Sequence, residues 1–209
     1  EKNLSESIKY YKMAADKGHI KAMFNYAIML ENGQGIEKNL SESIKYYKMA
    51  IEQGNSYAMF NYARMLENGQ GIEKNLSESI KYYKMAADKG NQEARYKYDI
   101  LHRNDSNAMY EYANMLKKGR GIENNLSESI KYYKMAADKG HIKAMFNYAI
   151  MLENGQGIEK NLSESIKYYK MAIEQGNSYA MFNYARMLEN GQGIEKNLSE
   201  SIKYYKMAA

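Results

Sequence analysis

The sequence contains no cysteine and no proline. Without cysteine, disulfides and thiolate metal sites are excluded. Without proline, only glycine and turn chemistry can interrupt a helix. Histidine is scarce: His19, His102 and His141 stand apart, without neighbouring ligand spacing, so no metal site and no cofactor is expected. No apolar run approaches the about 18 residues that a membrane span needs, and the opening EKNLSESIKY is not a signal peptide. Together these absences lead to the expectation of a cytoplasmic chain, or of a fragment whose targeting segment is missing. Charge of one sign is lacking too. The net charge is +5, from 30 basic and 25 acidic residues interspersed along the chain. A nucleic-acid binder usually concentrates its bases on one face, so a nucleic-acid partner is not favoured.

What the sequence does have is repetition. With 209 residues, 44% of them hydrophobic, it can bury a sizeable core. The stretch NLSESIKYYKMA begins at Asn3, Asn39, Asn75, Asn125, Asn161 and Asn197, at spacings of 36, 36, 50, 36 and 36 residues. The unit is therefore 36 residues long, with one 14-residue excess in the middle. Residues 1–87 and 123–209 match throughout, except that Lys2 becomes Asn124. Such near-identity indicates recent duplication. The whole chain, 1–209, reads as one repeat array: a first block over 1–90, an irregular junction over 91–122 carrying an extra helix, and a second block over 123–209.

Each unit reads as two helices. In helix B, Asn39 is a good N-cap and Glu42 stands at the third position of a capping box. Leu40, Ser43, Ile44, Tyr47 and Ala50 follow at helical spacing. Gly54 lies where a left-handed residue closes the helix. Helix A follows, with Ala58, Met59, Tyr62, Ala63 and Leu66 as its apolar stripe and Gly69 at its end. GQGIEKN then leads back to the next cap, and Gly71 is expected at positive φ. Antiparallel helix pairs with short connections, repeated, predict an all-α fold, an α-α superhelix (solenoid) of about 12 helices.

The junction contains RYKYDILHRND, the stretch that recurs nowhere else. NQEARYKYDILH aligns with HIKAMFNYAIML, so it predicts a helix A whose helix B is missing. Ser106 is expected to cap a second helix A. Asp99 takes the small position of Ala27 and His102 that of Leu30. A carboxylate buried unpaired there would be costly, so Asp99 is expected to be exposed. A functional patch of Asp99, His102 and Arg103 is the less favoured reading of this segment.

The residues Ala58, Tyr62, Ala63, Leu66, Gly69, Gly71, Ile72, Asn75, Ser79, Tyr82, Tyr83, Ala86, Ala87 and Gly90 together resemble the Sel-one-like repeat, a relative of the tetratricopeptide repeat. The resemblance covers essentially the whole chain. Ala63, Leu66, Asn75 and Ser79 stand for the usual glycine, aromatic, aspartate and alanine, all size-compatible. The resemblance implies a non-enzymatic adaptor or scaffold with a protein or peptide partner. It also implies that helix A lines the inner groove. The groove residues carried over are Lys21, Phe24 and Ile28, then Tyr57, Phe60 and Arg64. Asn107, Tyr110, Asn114 and Lys117 follow, then Lys143, Phe146 and Ile150, and last Tyr179, Phe182 and Arg186. Exposed aromatics and arginine are what interface hot spots favour.

Other motifs carry less. GQG and GRG lack the Lys-Ser/Thr of a phosphate loop, and no Gly-x-Ser-x-Gly elbow accompanies the serines. No catalytic residue is therefore assigned. KYYK could stack on nucleic acid, but Tyr46 and Tyr47 stand where the family packs an aromatic pair, leaving Lys45 and Lys48 solvated. Asn-Leu-Ser fits a glycosylation acceptor, as does Asn104 in Asn-Asp-Ser, yet regular copies at one structural position point to helix caps. The apolar flanks at either end of the array are expected to associate with another chain, with another part of the protein, or with each other.

Overall fold

The computed structural model describes residues 2–119 and 124–209, with side chains from residue 6 onward. Among these residues there are twelve helices and no strand. They are α1 (Lys2–Asp16), α2 (Ile20–Asn32), α3 (Leu40–Glu52), α4 (Ser56–Asn68), α5 (Leu76–Asp88), α6 (Gln92–Arg103), α7 (Ser106–Lys118), α8 (Leu126–Asp138), α9 (Ile142–Asn154), α10 (Leu162–Glu174), α11 (Ser178–Asn190) and α12 (Leu198–Ala208). Packing divides the chain into two units, Glu1–Arg103 and Asn104–Ala209. The first runs B-A-B-A-B-A from α1 to α6, and the second runs A-B-A-B-A-B from α7 to α12. Within each unit every helix packs on the next in sequence. The boundary falls inside the irregular segment, of which residues 120–123 lie outside the described residues.

The caps explain where each helix starts. The Asn39 side chain accepts the Glu42 backbone N–H at 3.0 Å, and Asn75, Asn125, Asn161 and Asn197 repeat the bond. The expected capping box is half formed. The glutamate does not return to the cap's own N–H, because that N–H already donates to the end of the preceding helix A, as Asn39 does to the Leu30 carbonyl at 2.9 Å. One asparagine thus starts helix B and ties it to helix A. Before α7 the cap is Asp105 and not Ser106. Its carboxylate accepts from the N–H groups of Asn107 and Ala108, and Ser106 is the first helical residue. A carboxylate at a helix N-terminus also meets the positive end of the helix dipole.

Gly54 and Gly69 take positive φ where the helices close. Gly71 does too, at φ 72°, and has a second reason to be glycine: a Cβ there would lie 2.5 Å from the Cβ of Leu40 on α3. Gly157 and Gly193 likewise let the loop press on the helix B of the repeat before, against Leu126 and Leu162.

The core follows the two stripes. Ala58, Met59, Tyr62, Ala63 and Leu66 are buried, as are Tyr46, Tyr47 and Ala50, with Leu40 and Ile44 half-buried at the edge. Tyr26 meets Tyr46 edge to face at 4.8 Å, and Tyr62 meets Tyr82 likewise at 4.9 Å. Such pairs contribute about 0.5–1.5 kcal/mol beyond burial alone. The serine in helix B holds more than a size-compatible place. Ser43, Ser79, Ser129, Ser165 and Ser201 are buried, and each donates its hydroxyl to the carbonyl of the close-packed alanine of the preceding helix A, at 2.8 Å.

Asp99 departs from expectation. Its side chain is only 19% exposed, and it lies 3.6 Å from Arg103 Nε one turn on. Its Oδ1 has no hydrogen-bond partner. The nearby guanidinium makes the half-buried carboxylate tolerable. His102 is exposed and stacks on Tyr98 at 5.0 Å, which leaves the core position of Leu30 without an apolar counterpart in α6.

Candidate protein-docking face

Successive A helices within a unit are joined by their long side chains. In the first unit, the half-buried Phe24 ring of α2 lies 6.2 Å from Tyr47 of α3 and 6.0 Å from Tyr57 of α4. Tyr57 is 63% exposed. Lys21 is exposed and Ile28 is half-buried. In the second unit Phe146 repeats these contacts with Tyr169 and Tyr179, and Tyr179 is 72% exposed. Lys143 is exposed and Ile150 half-buried, as in the first copy.

Phe60 does not join this surface. It is buried in one apolar cluster with Tyr83, Ala86 and Ala94 of α5 and α6, and its ring meets Tyr83 at 5.5 Å. Its sequence counterpart Phe182 is 51% exposed, and its ring meets Tyr205 at 5.3 Å. Identical local sequences therefore differ in exposure because one has a helix stacked over it and the other does not.

Arg64 is committed inward. Its guanidinium donates to Oε1 of Glu31 at 2.6 Å, while the Tyr47 hydroxyl donates to Oε2 at 2.7 Å. Asn61 in turn donates to the Tyr47 oxygen at 3.0 Å. Glu31 is buried, so its charge needs these partners. Burial and the Glu31 charge push the Tyr47 phenol well above its ordinary range, which keeps it a donor. Arg186, Glu153, Tyr169 and Asn183 repeat the network with the same partners. Between α4 and α6 the cation is Lys97, 3.4 Å from Glu67, with Tyr83 donating to that carboxylate at 2.7 Å. Sequence reading placed Arg64 and Arg186 on the open groove, put Tyr47 in the core without its hydroxyl's bond to Glu31, and overlooked Glu31 and Asn61. The available signal was a glutamate recurring near the end of an apolar helix A, with a cation one repeat later.

The first pair of the second unit differs. Lys117 stands where Glu31 stands, so Tyr133 donates to Asn114 at 2.7 Å instead, and the Lys117 ammonium sits 6.0 Å from the Tyr133 ring. Asn114 is thereby also turned inward. Tyr110 stacks on His141 at 4.4 Å with ring planes 21° apart. Asn107, Glu111 and Lys143 join these rings around an open cavity of about 440 Å³. His141 caps α9: its Nδ1 accepts the Ala144 N–H at 3.1 Å. Burial lowers its pKa, in keeping with a ring nitrogen that must stay unprotonated to accept.

In α3 and α10 the tyrosines of KYYK offer no stacking platform, whereas Tyr10 and Tyr11 of α1 are exposed. Tyr46, Tyr47, Tyr168 and Tyr169 are almost wholly buried, while Lys45 and Lys48 are exposed. Among the described residues no group of three or more His, Asp or Glu is placed to hold a metal ion, and no helix is long and apolar enough to cross a membrane.

Residues 1–19, 20–55, 56–91, 106–141, 142–177 and 178–209 each match the family model described as the Sel1 repeat. Among solved structures, a Sel1 repeat protein from Oxalobacter formigenes is 29% identical, with a TM-score of 0.48, over 98% of this chain and 76% of its own. A protective antigen of uropathogenic Escherichia coli displaying an SLR fold is 23% identical, with a TM-score of 0.51, over 98% of this chain. This chain spans 49% of that antigen's length. The cysteine rich protein B of Helicobacter pylori is 20% identical, with a TM-score of 0.37, over 71% of this chain and 96% of its own. No curated protein matches.

Proposed function

Because the chain belongs to the Sel1 repeat family, whose repeats generally serve as protein-interaction scaffolds, we propose that it is a non-enzymatic scaffold holding a protein or peptide partner on the A-helix faces of its units. The observation that carries this reading is the pair Tyr57 and Tyr179. Each ring is largely exposed, yet each is braced against a half-buried phenylalanine. A large aromatic held rigid at the surface loses little entropy on binding, which is the property of an interface anchor.

The rings call for a direct experiment. Immobilised chain is incubated with lysate from its own source, and captured proteins are compared with those held by a Tyr57→Ala, Tyr179→Ala double variant. A stoichiometric partner lost from the variant supports the A-helix face. A partner retained at full occupancy removes these residues from the site. Phe60 is unsuitable for this test, because truncating a buried ring would disturb the core.

A second reading, self-association, rests on the open flanks. Tyr10 and Met13 of α1, and Phe182, Ile202 and Met207 of α12, are each more than half exposed. Concentration-dependent mass in sedimentation would favour this reading.

A further inference from the structure

The step from α7 to α9 leaves open a space that two other steps fill with rings. Between α2 and α4, Phe24 meets Tyr57, and between α9 and α11, Phe146 meets Tyr179. At the α7/α9 step, Lys143 stands where Tyr57 and Tyr179 stand. What remains is the open cavity of about 440 Å³, within the size range of small-ligand pockets. Helix α7 keeps the apolar stripe of the other A helices in Ala108, Met109, Tyr112, Ala113 and Leu116, all buried. Two of its departures from them line the cavity. Tyr110 replaces the phenylalanine of α2, α4, α9 and α11, and Glu111 replaces their asparagine.

The walls have a defined chemistry. Tyr110 and His141 are both half-buried and stack at 4.4 Å. His141 Nδ1 accepts the Ala144 N–H, so the ring proton sits on Nε2 and the neutral ring adds no charge. Glu111 of α7 and Lys143 of α9 are exposed, and neither makes an ion pair among the described residues. Two carboxylates act on the His141 ring, Glu111 and Asp105, against the single ammonium of Lys143. That ammonium rides on a flexible stem that can turn to water. The balance favours a cation as guest. A guanidinium gains most, because it stacks on aromatic rings and can hold a carboxylate by two parallel bonds.

We infer that the α7/α9 cavity receives an arginine side chain of the partner, with Glu111 as its counterion and the Tyr110–His141 pair as its wall. This inference rests on the docking reading above and adds the partner's chemistry at one point of the A-helix face. Exposed rings such as Tyr179 anchor by apolar contact and are tolerant of sequence. Glu111 selects by charge, since an acidic guest would meet two carboxylates.

The chain has three histidines, so their ring Cε1–H signals report separately by NMR once assigned with His19→Asn, His102→Asn and His141→Asn. The probe is N-acetyl-arginine N-methylamide, titrated into the full chain at pH 7.5. The His141 signal is expected to shift saturably while those of His19 and His102 stay in place. Glu111→Gln, a change at an exposed position, should weaken binding about fivefold or more at low salt. Lys143→Gln should tighten it, because an opposing charge is removed. No saturable shift at His141, equal shifts at all three histidines, indifference to Glu111→Gln or weakening by Lys143→Gln overturns the inference. Tighter binding of N-acetyl-aspartate N-methylamide overturns it too. In the capture experiment, Glu111→Gln is expected to lower recovery of the partner. A partner lost from the Tyr57→Ala, Tyr179→Ala variant but held fully by Glu111→Gln keeps the docking face and removes the cavity. One held by the double variant but weakened by Glu111→Gln keeps the cavity and removes the two tyrosines.

Discussion

Arg64 of α4 reaches back to Glu31 of α2 across 2.6 Å, and the two side chains differ in exposure, 42% against 3%. The carboxylate is inside and its counterion is half in water. Truncating Arg64 leaves the Tyr47 hydroxyl facing a buried charge that has lost its cation. Water near the arginine screens the pair. Arg64→Ala is therefore expected to cost about 1–2 kcal/mol, below the about 3–5 kcal/mol of a fully buried pair. Adding Glu31→Gln should recover part of the loss, read as a positive coupling in a urea double-mutant cycle. Strict additivity would mean that the pair contributes nothing to stability.

The buried serine is tested by size. Ser79 donates to the Ala63 carbonyl at 2.8 Å. Ser79→Ala removes one hydrogen bond whose acceptor also serves the helix, so a loss of about 0.5–1.5 kcal/mol is expected. Ser79→Val adds volume at a wholly buried contact and should cost more, about 1–3 kcal/mol. Denaturant midpoints in which valine is better tolerated than alanine would contradict the close packing.

Two glycines separate backbone strain from contact. Gly71 and Gly90 both have positive φ, 72° and 86°. A Cβ at Gly90 meets nothing within 4 Å, whereas one at Gly71 meets Leu40 at 2.5 Å. Gly90→Ala is expected to cost about 1 kcal/mol from the left-handed backbone alone. Gly71→Ala should cost about 1–3 kcal/mol more, because the loop must also lift off α3. Equal thermal shifts for the two variants would exclude the Leu40 contact as a cause.

His141 makes the second unit pH-sensitive. Its Nδ1 accepts the Ala144 N–H, and its pKa is lowered from 6.5 in the fold. Between the folded and unfolded pKa values the unfolded chain binds more protons, so stability rises with pH through that window. It is lost as pH falls below about 6.5. Burial is the main cause of the lowering and Lys143 adds to it, whereas Glu111 and Asp105 oppose it; Tyr110 stacks on the ring. Asparagine occupies the same cap at Asn55 and Asn177 and does not titrate. Melting temperatures of His141→Asn should therefore exceed those of the unaltered chain by a margin that grows from pH 7.5 to 5.5. A constant margin at position 141 would rule out titration of the cap.

Much of this was readable from residues alone. The 36-residue spacing, the Asn caps and the glycines at helix ends place the regular helices, because capping and the φ of glycine are local properties, while the start of α7 was misplaced by one residue. Burial of Tyr47 follows from helical periodicity, while that of Tyr46 was implied only by the family resemblance. The candidate docking face was less readable. Lys21, Tyr57, Lys143 and Tyr179 are exposed where expected, but Phe60 is buried, and Arg64 and Arg186 are held by internal carboxylates.

The division has a physical reason. Local sequence determined the helices, their ends and their apolar stripes, since each depends on neighbours within about one turn. Residues 56–87 and 178–209 carry one sequence, yet Phe60 is buried and Phe182 is exposed. Only the tertiary structure decided that difference, because it depends on which helix stacks above. The same is true of the cations on Glu31, Glu67 and Glu153, each supplied from the next repeat.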